Sequence, residues 1–115
     1  MTVKLKRIAF AITDMPSMVN FYNHVFKTDL QPVGEAGPLQ FYRGTLAGVD
    51  VLFCPNEIAK VVAESTRHQL CLQVDDLQGT IDTALVHGGT QNSKIENGVA
   101  AICDPEGNSI ELASP

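Results

Sequence analysis

An α+β fold made of two tandem βαβββ modules is what this chain predicts, and three observations carry the prediction. Arg7-Ile8-Ala9-Phe10-Ala11-Ile12-Thr13-Asp14 and Gln69-Leu70-Cys71-Leu72-Gln73-Val74-Asp75-Asp76 both alternate apolar residues and end on an Asp that opens a helix-like stretch. The two segments keep one offset of 62 residues, from Arg7 to Gln69 and from Asp14 to Asp76. Gly48-Val49-Asp50-Val51-Leu52-Phe53 corresponds to Gly107-Asn108-Ser109-Ile110-Glu111-Leu112 at an offset of 59, each a turn glycine followed by a strand. A repeated unit of this size cannot bury its own apolar face and must stack on its copy. A site between the copies would therefore be lined by equivalent positions of both.

From Val3 to Ile12 the alternation reads as a strand, with Ile8, Phe10 and Ile12 toward the core and Arg7, Ala9 and Ala11 on the other face. Asp14 caps a helix with Pro16 in its first turn, where the missing amide hydrogen costs nothing. Met18, Tyr22, Val25 and Phe26 form its apolar stripe. Pro32, Gly34 and Gly37-Pro38 leave room for only a short edge strand, Leu30 to Val33. Leu39–Leu46 and Val49–Cys54 read as a hairpin turning at Ala47-Gly48. Module one thus spans about 3–54, and 55–67 forms a linker in which Ile58, Val61 and Val62 could dock a helical turn. Module two, about 68–113, repeats the order. Leu70, Leu72 and Val74 face a core, Asp76 caps a helix with Leu77, Ile81, Ala84 and Leu85 on its buried stripe, and Gly88-Gly89 ends it. Thr90–Lys94, Val99–Cys103 and Ser109–Ala113 supply the last strands, the final two joined by the turn Asp104-Pro105-Glu106-Gly107-Asn108.

The 115 residues suit one domain. A net charge of −5, with only Lys4, Lys6 and Arg7 clustered among the cations, argues against nucleic acid, which demands a basic stripe. No apolar run reaches the roughly 18 residues that span a bilayer, so no membrane partner is expected. Three cysteines without a CxxC pair argue against a disulfide framework or structural zinc and fit a reducing, cytoplasmic setting, with the thiols buried as small apolar groups.

The strand ending in Asp, the helical Asn20-Phe21-Tyr22, the Gly-Gly after the second helix and above all Asp104-Pro105-Glu106-Gly107-Asn108-Ser109-Ile110-Glu111-Leu112 resemble the vicinal oxygen chelate superfamily. That group includes glyoxalase I, bleomycin-resistance proteins and extradiol dioxygenases. The resemblance covers nearly the whole chain and implies cupped mixed sheets with helices outside. It also implies a homodimer, since such proteins pair modules within one chain or exchange them between two.

In metal-dependent members each module offers one ligand in its first strand and one in its last. Carried over, those positions are Arg7 and Leu52, then Gln69 and Glu111. Gln69 and Glu111 suit a divalent ion, whereas Leu52 has no donor and Arg7 is a permanent cation. The resemblance thus implies a degenerate ligand set, no cofactor, and Arg7 paired with Glu111 in place of the metal. The plain alternative leaves Arg7 as a strand-edge cation beside Lys4 and Lys6. Cys71 and Gln73 share the strand face of Gln69. Tyr42, or its neighbour Phe41, could offer a ring to a ligand. His24, His68 and His87 fall on no ligand position, although a register slip of one residue would put His68 where Gln69 stands while turning the alternating apolar face outward.

The expected function is metal-independent binding and sequestration of a small molecule, held by Arg7, Gln69, Cys71, Gln73, Glu111 and Tyr42. The alternative is a divalent-metal lyase, isomerase or dioxygenase resembling glyoxalase I, with Glu111 as ligand or catalytic base. A third class is a regulatory subunit with a vestigial cleft.

Overall fold

Alternating residues and two aspartate caps shape each half in the same way. The computed structural model describes residues 2–62 and 68–115. Its elements run β1 (Ile8–Ile12), α1 (Met15–Val25), β2 (Gln31–Ala36), β3 (Leu39–Leu46), β4 (Val49–Pro55), α2 (Asn56–Ala59), β5 (Leu70–Gln73), α3 (Leu77–Val86), β6 (Thr90–Gln91), β7 (Val99–Cys103) and β8 (Ser109–Ala113). They form two four-stranded mixed sheets, ordered β1-β4-β3-β2 and β5-β8-β7-β6.

The pairing register repeats as closely as the sequence does. Ile8 pairs with Val51 and Ala9 with Leu52 in the first sheet; Leu70 pairs with Ile110 and Cys71 with Glu111 in the second. Both pairs of strands are parallel, and each last strand continues antiparallel to its predecessor. Arg7 is therefore the structural equivalent of Gln69, and Leu52 of Glu111.

The two longer helices, α1 and α3, each start where an aspartate side chain satisfies a free amide. Asp14 accepts from the Ser17 amide at 3.3 Å and the Ser17 hydroxyl at 2.8 Å, and Asp76 accepts from the Gly79 amide at 3.0 Å. Helix α1 buries Met18, Phe21 and Tyr22, and α3 buries Leu77, Ile81 and Ala84. These join Ile12, Val51 and Phe53 of the first sheet with Ala100, Ile102, Ile110 and Leu112 of the second in one core. The main element contact between modules is α1 on α3.

Two further links run from α1 to the turn between β7 and β8. The Tyr22 hydroxyl donates to Asp104 Oδ2 at 2.7 Å, both residues being buried. Glu106 accepts the amides of Thr13 and Asp14 at 2.9 Å each. Asp104 also organises its own turn, accepting from the amides of Glu106 and Asn108 and from Asn108 Nδ2. The motif that stood out most in the sequence is thus the clamp between modules.

The first strand is shorter than the alternation from Val3 suggests. Its parallel partner runs from Val51 to Pro55, which leaves Val3 and Leu5 exposed with no strand to pair. The edge strand is longer than expected because its register shifts between Pro32 and Gly34, accommodating both breakers. β6 stops at Gln91, since the Asn92 and Ser93 amides converge on a single carbonyl, that of Ala101. Leu85 is exposed instead of buried. There the chain folds back, with Gly89 donating to the Ala84 carbonyl at 2.8 Å, and a Cβ at Gly89 would sit 2.6 Å from Phe21 Cε2. The helical turn in the linker forms at Asn56–Ala59, but Ile58, Val61 and Val62 remain exposed and do not dock it. Residues 63–67 of the linker lie outside the described residues.

Candidate functional site

The period of two leaves each sheet with one face free of helix. On the first sheet, Arg7 falls in step with Ala9 and Ala11, next to Leu52 and Asp50 of β4. β3 adds Arg43 opposite Leu52 and Thr45 opposite Asp50. On the second sheet, Gln69 precedes Cys71 and Gln73, and Glu111 lies beside Cys71 with Ala101 on its other flank. Five of the six ligand-binding positions expected from sequence thus lie on open sheet faces. β5 alternates half-buried Leu70 and Leu72 with exposed Cys71 and Gln73, so the register that favours Gln69 over His68 holds.

Tyr42 lies elsewhere. It pairs with Phe53 and packs against the core under α1, because its parity in β3 is that of the helix-covered residues. It lines a different cleft, of about 570 Å³, between α1 and β3, with Met15, Val19, His24 and Leu39. The aromatic residue of β3 with open-face parity is Phe41. The cysteines also depart from expectation. Cys71 is exposed and Cys54 and Cys103 are half-buried, since all three have open-face parity.

The open faces carry one ion pair that the sequence reading did not single out. Arg43 donates through Nε to Asp50 Oδ1 at 3.0 Å and through Nη2 to Oδ2 at 2.6 Å, a bidentate fork. The hydrogen bonds from Arg43 hold the Asp50 carboxyl below the usual carboxylate range, and the charges of Arg7 and Lys6 act in the same direction. The signal was available: a two-residue turn at Ala47-Gly48 fixes the register and places 43, 45, 50 and 52 on one face.

Arg7 and Glu111 do not form an ion pair within the chain. Among the described residues the ion pair is Arg43–Asp50, and the two sheets are separate, held together through helices and the clamp. Gln69 is engaged through its amide nitrogen, which donates to Ser109 Oγ at 2.8 Å and leaves its carbonyl oxygen for another partner. His24 and His87 stack at 4.2 Å on the helix contact, away from these faces.

A family model described as a glyoxalase-like domain matches residues 7–113. The chain belongs to that family. It is thereby placed in the vicinal oxygen chelate superfamily. No curated protein matches the sequence. Among solved structures, the chain is similar to a glyoxalase/bleomycin resistance protein/dioxygenase family enzyme of Burkholderia phytofirmans PsJN, at TM-score 0.76 and 17% identity, covering 97% of this chain and 98% of that one. It is also similar to the fosfomycin resistance protein FosX of Listeria monocytogenes in complex with Mn(II) and dihydroxypropylphosphonic acid, at TM-score 0.78 and 14% identity, covering 98% and 93%. A FosX of Mesorhizobium loti gives TM-score 0.73 at 17% identity, covering 100% and 94%. Such identities establish the fold alone.

The residues at the four positions that the resemblance assigns to metal ligands do not fit a divalent ion. Gln69 and Glu111 offer oxygen donors, but Leu52 offers none and the Arg7 guanidinium repels a cation. Among the described residues no group of three or more His, Cys, Asp or Glu is arranged to hold one. No helix among them is long and apolar enough to cross a membrane.

Proposed function

We propose that this protein binds a small molecule without a metal and sequesters it in a cleft formed when the open face of one module meets that of the other kind of module in a second copy of the chain. The observation that carries the reading is the replacement of two of four ligand positions by Arg7 and Leu52, while the positions beside them keep polar groups. In such a dimer, Arg7 of one copy comes opposite Glu111 of the other, each balancing the other's charge where a metal would sit. Gln69, Gln73 and Cys71 line the cleft, and Leu52, Ala9 and Ala11 give it an apolar wall. The same half-exposed open faces, left unpaired within one chain, support the exchange of modules. Free thiols on those faces suit a reducing, cytoplasmic compartment.

The rival reading, a metal-dependent lyase, isomerase or dioxygenase, draws on the Mn(II) complex of FosX. It would need Glu111 as ligand or base and two further donors. The two readings separate on turnover. A thermal-shift screen of aromatic and aliphatic small molecules, followed by recovery of each hit, should return the hits chemically unchanged and shift a dimer in light scattering. Chemical conversion of a hit by the purified protein, abolished in Glu111→Gln, would refute sequestration.

A further inference from the structure

The open face of the first sheet carries a cation that the chain itself does not neutralise. Arg7 makes no hydrogen bond or ion pair with any described residue, and its Nε is shielded from solvent without an acceptor. A buried, unsatisfied donor of this kind is uncommon and calls for a partner. The acid on that face is Asp50, and Arg43 already holds both of its oxygens. Two guanidinium groups therefore flank one carboxylate, leaving a surplus positive charge, and Arg43 retains donors beyond the two it spends on Asp50.

We propose that Arg7, buttressed by the Arg43–Asp50 pair, is an anion seat that takes the oxyanion end of a small molecule whose apolar body lies over Ala9, Leu52 and Phe41. The planar guanidinium fork matches a carboxylate or phosphoryl group. Asp50 serves as a positioning residue: it fixes Arg43 at the margin of the seat and keeps the local charge from exceeding what one oxyanion balances. On this face Ala9 follows Arg7 along the first strand and Leu52 follows Asp50 along β4, and Ala9 pairs with Leu52, so a ligand lying along these strands meets both. This inference rests on the open faces forming a ligand cleft and names the class of ligand that the cleft takes. Glu111 of a second copy competes for Arg7, so ligand binding exchanges one ion pair for another.

The test follows the Arg7 Nε–H signal by ¹H–¹⁵N NMR of the full chain near pH 6 while benzoate, benzamide, acetate and inorganic phosphate are titrated. Arg7→Gln identifies the resonance. The inference expects benzoate to move it saturably, benzamide to leave it unmoved, and affinity, followed in the variant through the Ala9 and Leu52 backbone amides, to fall at least about tenfold in Arg7→Gln, the loss of roughly one charge-assisted contact. Glu111→Gln should tighten benzoate by removing the competitor. Benzoate ahead of phosphate marks a carboxylate ligand, and phosphate ahead of benzoate a phosphoryl one; either order supports the seat. An unmoved Arg7 Nε–H up to about 10 mM of every anion would overturn it, since that excludes even millimolar binding. So would equal binding of benzamide and benzoate, though that result leaves sequestration standing. Anion binding at Arg7 that gains nothing from an aromatic body, with acetate equal to benzoate, would keep the seat and count against the apolar cleft.

Discussion

Replacing Tyr22 by Phe removes one hydroxyl and little else, so it isolates the clamp between modules. The ring packs edge-on to Phe10, Phe21 and Phe53, and Phe preserves those contacts and leaves no cavity. What is lost is the 2.7 Å bond to Asp104 Oδ2. A hydrogen bond to a charged group contributes about 1.5–3 kcal/mol, and a buried acceptor left short of a partner adds to the loss. Here Oδ2 keeps Asn108 Nδ2 at 2.9 Å, so the loss should fall near the middle, about 2 kcal/mol. For a domain of this size each kcal/mol moves the melting temperature by about 4 °C, so Tyr22→Phe should melt roughly 8 °C lower. Urea denaturation and calorimetry at pH 7 measure both quantities. The same variant makes a pH prediction. Burial first, then the Asp104 charge, raises the Tyr22 phenol well above its usual range. A raised folded pKa gives stability that is complete below the unfolded value near 10 and lost as pH rises through the folded one. The gap between wild type and Tyr22→Phe should therefore narrow above about pH 10. A variant within about 0.5 kcal/mol of wild type at pH 7 would refute the clamp, because surface changes of no consequence lie in that range.

Substitutions at two other positions probe the frame around the site. Ala47 and Gly48 both adopt positive φ, 51° and 79°, in the hairpin turn that sets the register of Arg43 and Asp50; Ala47→Asn, suited to that turn, should raise stability by about 0.5–1 kcal/mol in urea denaturation. Glu106→Ala removes the acceptor of the Thr13 and Asp14 amides and should cost about 1 kcal/mol by the same assay, with Glu106→Gln recovering part of it.

Much of this architecture is legible in the chain because its signals are local. Asp14 and Asp76 announce helix starts, Gly88-Gly89 a stop, and the offsets of 62 and 59 a repeat that the strand registers reproduce. What escaped depends on partners distant in sequence. Val3 and Leu5 alternate like strand residues but find no neighbouring strand, and Leu85 loses its place on the helix stripe to the chain reversal at Gly89. Tyr42 is a different case: the local Ala47-Gly48 turn already gives it the parity of Phe53 and leaves Phe41 on the open face, so that signal was present but unused. The motif from Asp104 to Asn108 drew the eye as a family mark. Its structural work, linking α1 to the far end of the second sheet, was not legible, since nothing local pairs residue 22 with residue 104.

The proposed loss of metal binding turns on Arg7 and Leu52. It is tested most directly by elemental analysis of the purified protein and calorimetric titration with nickel, zinc, manganese and ferrous iron, run beside the double variant Arg7→His, Leu52→Glu. The account predicts no stoichiometric metal in the native chain and a new site in the double variant, which restores four donors. Near-stoichiometric metal in the native chain, lost in Glu111→Ala, would contradict it.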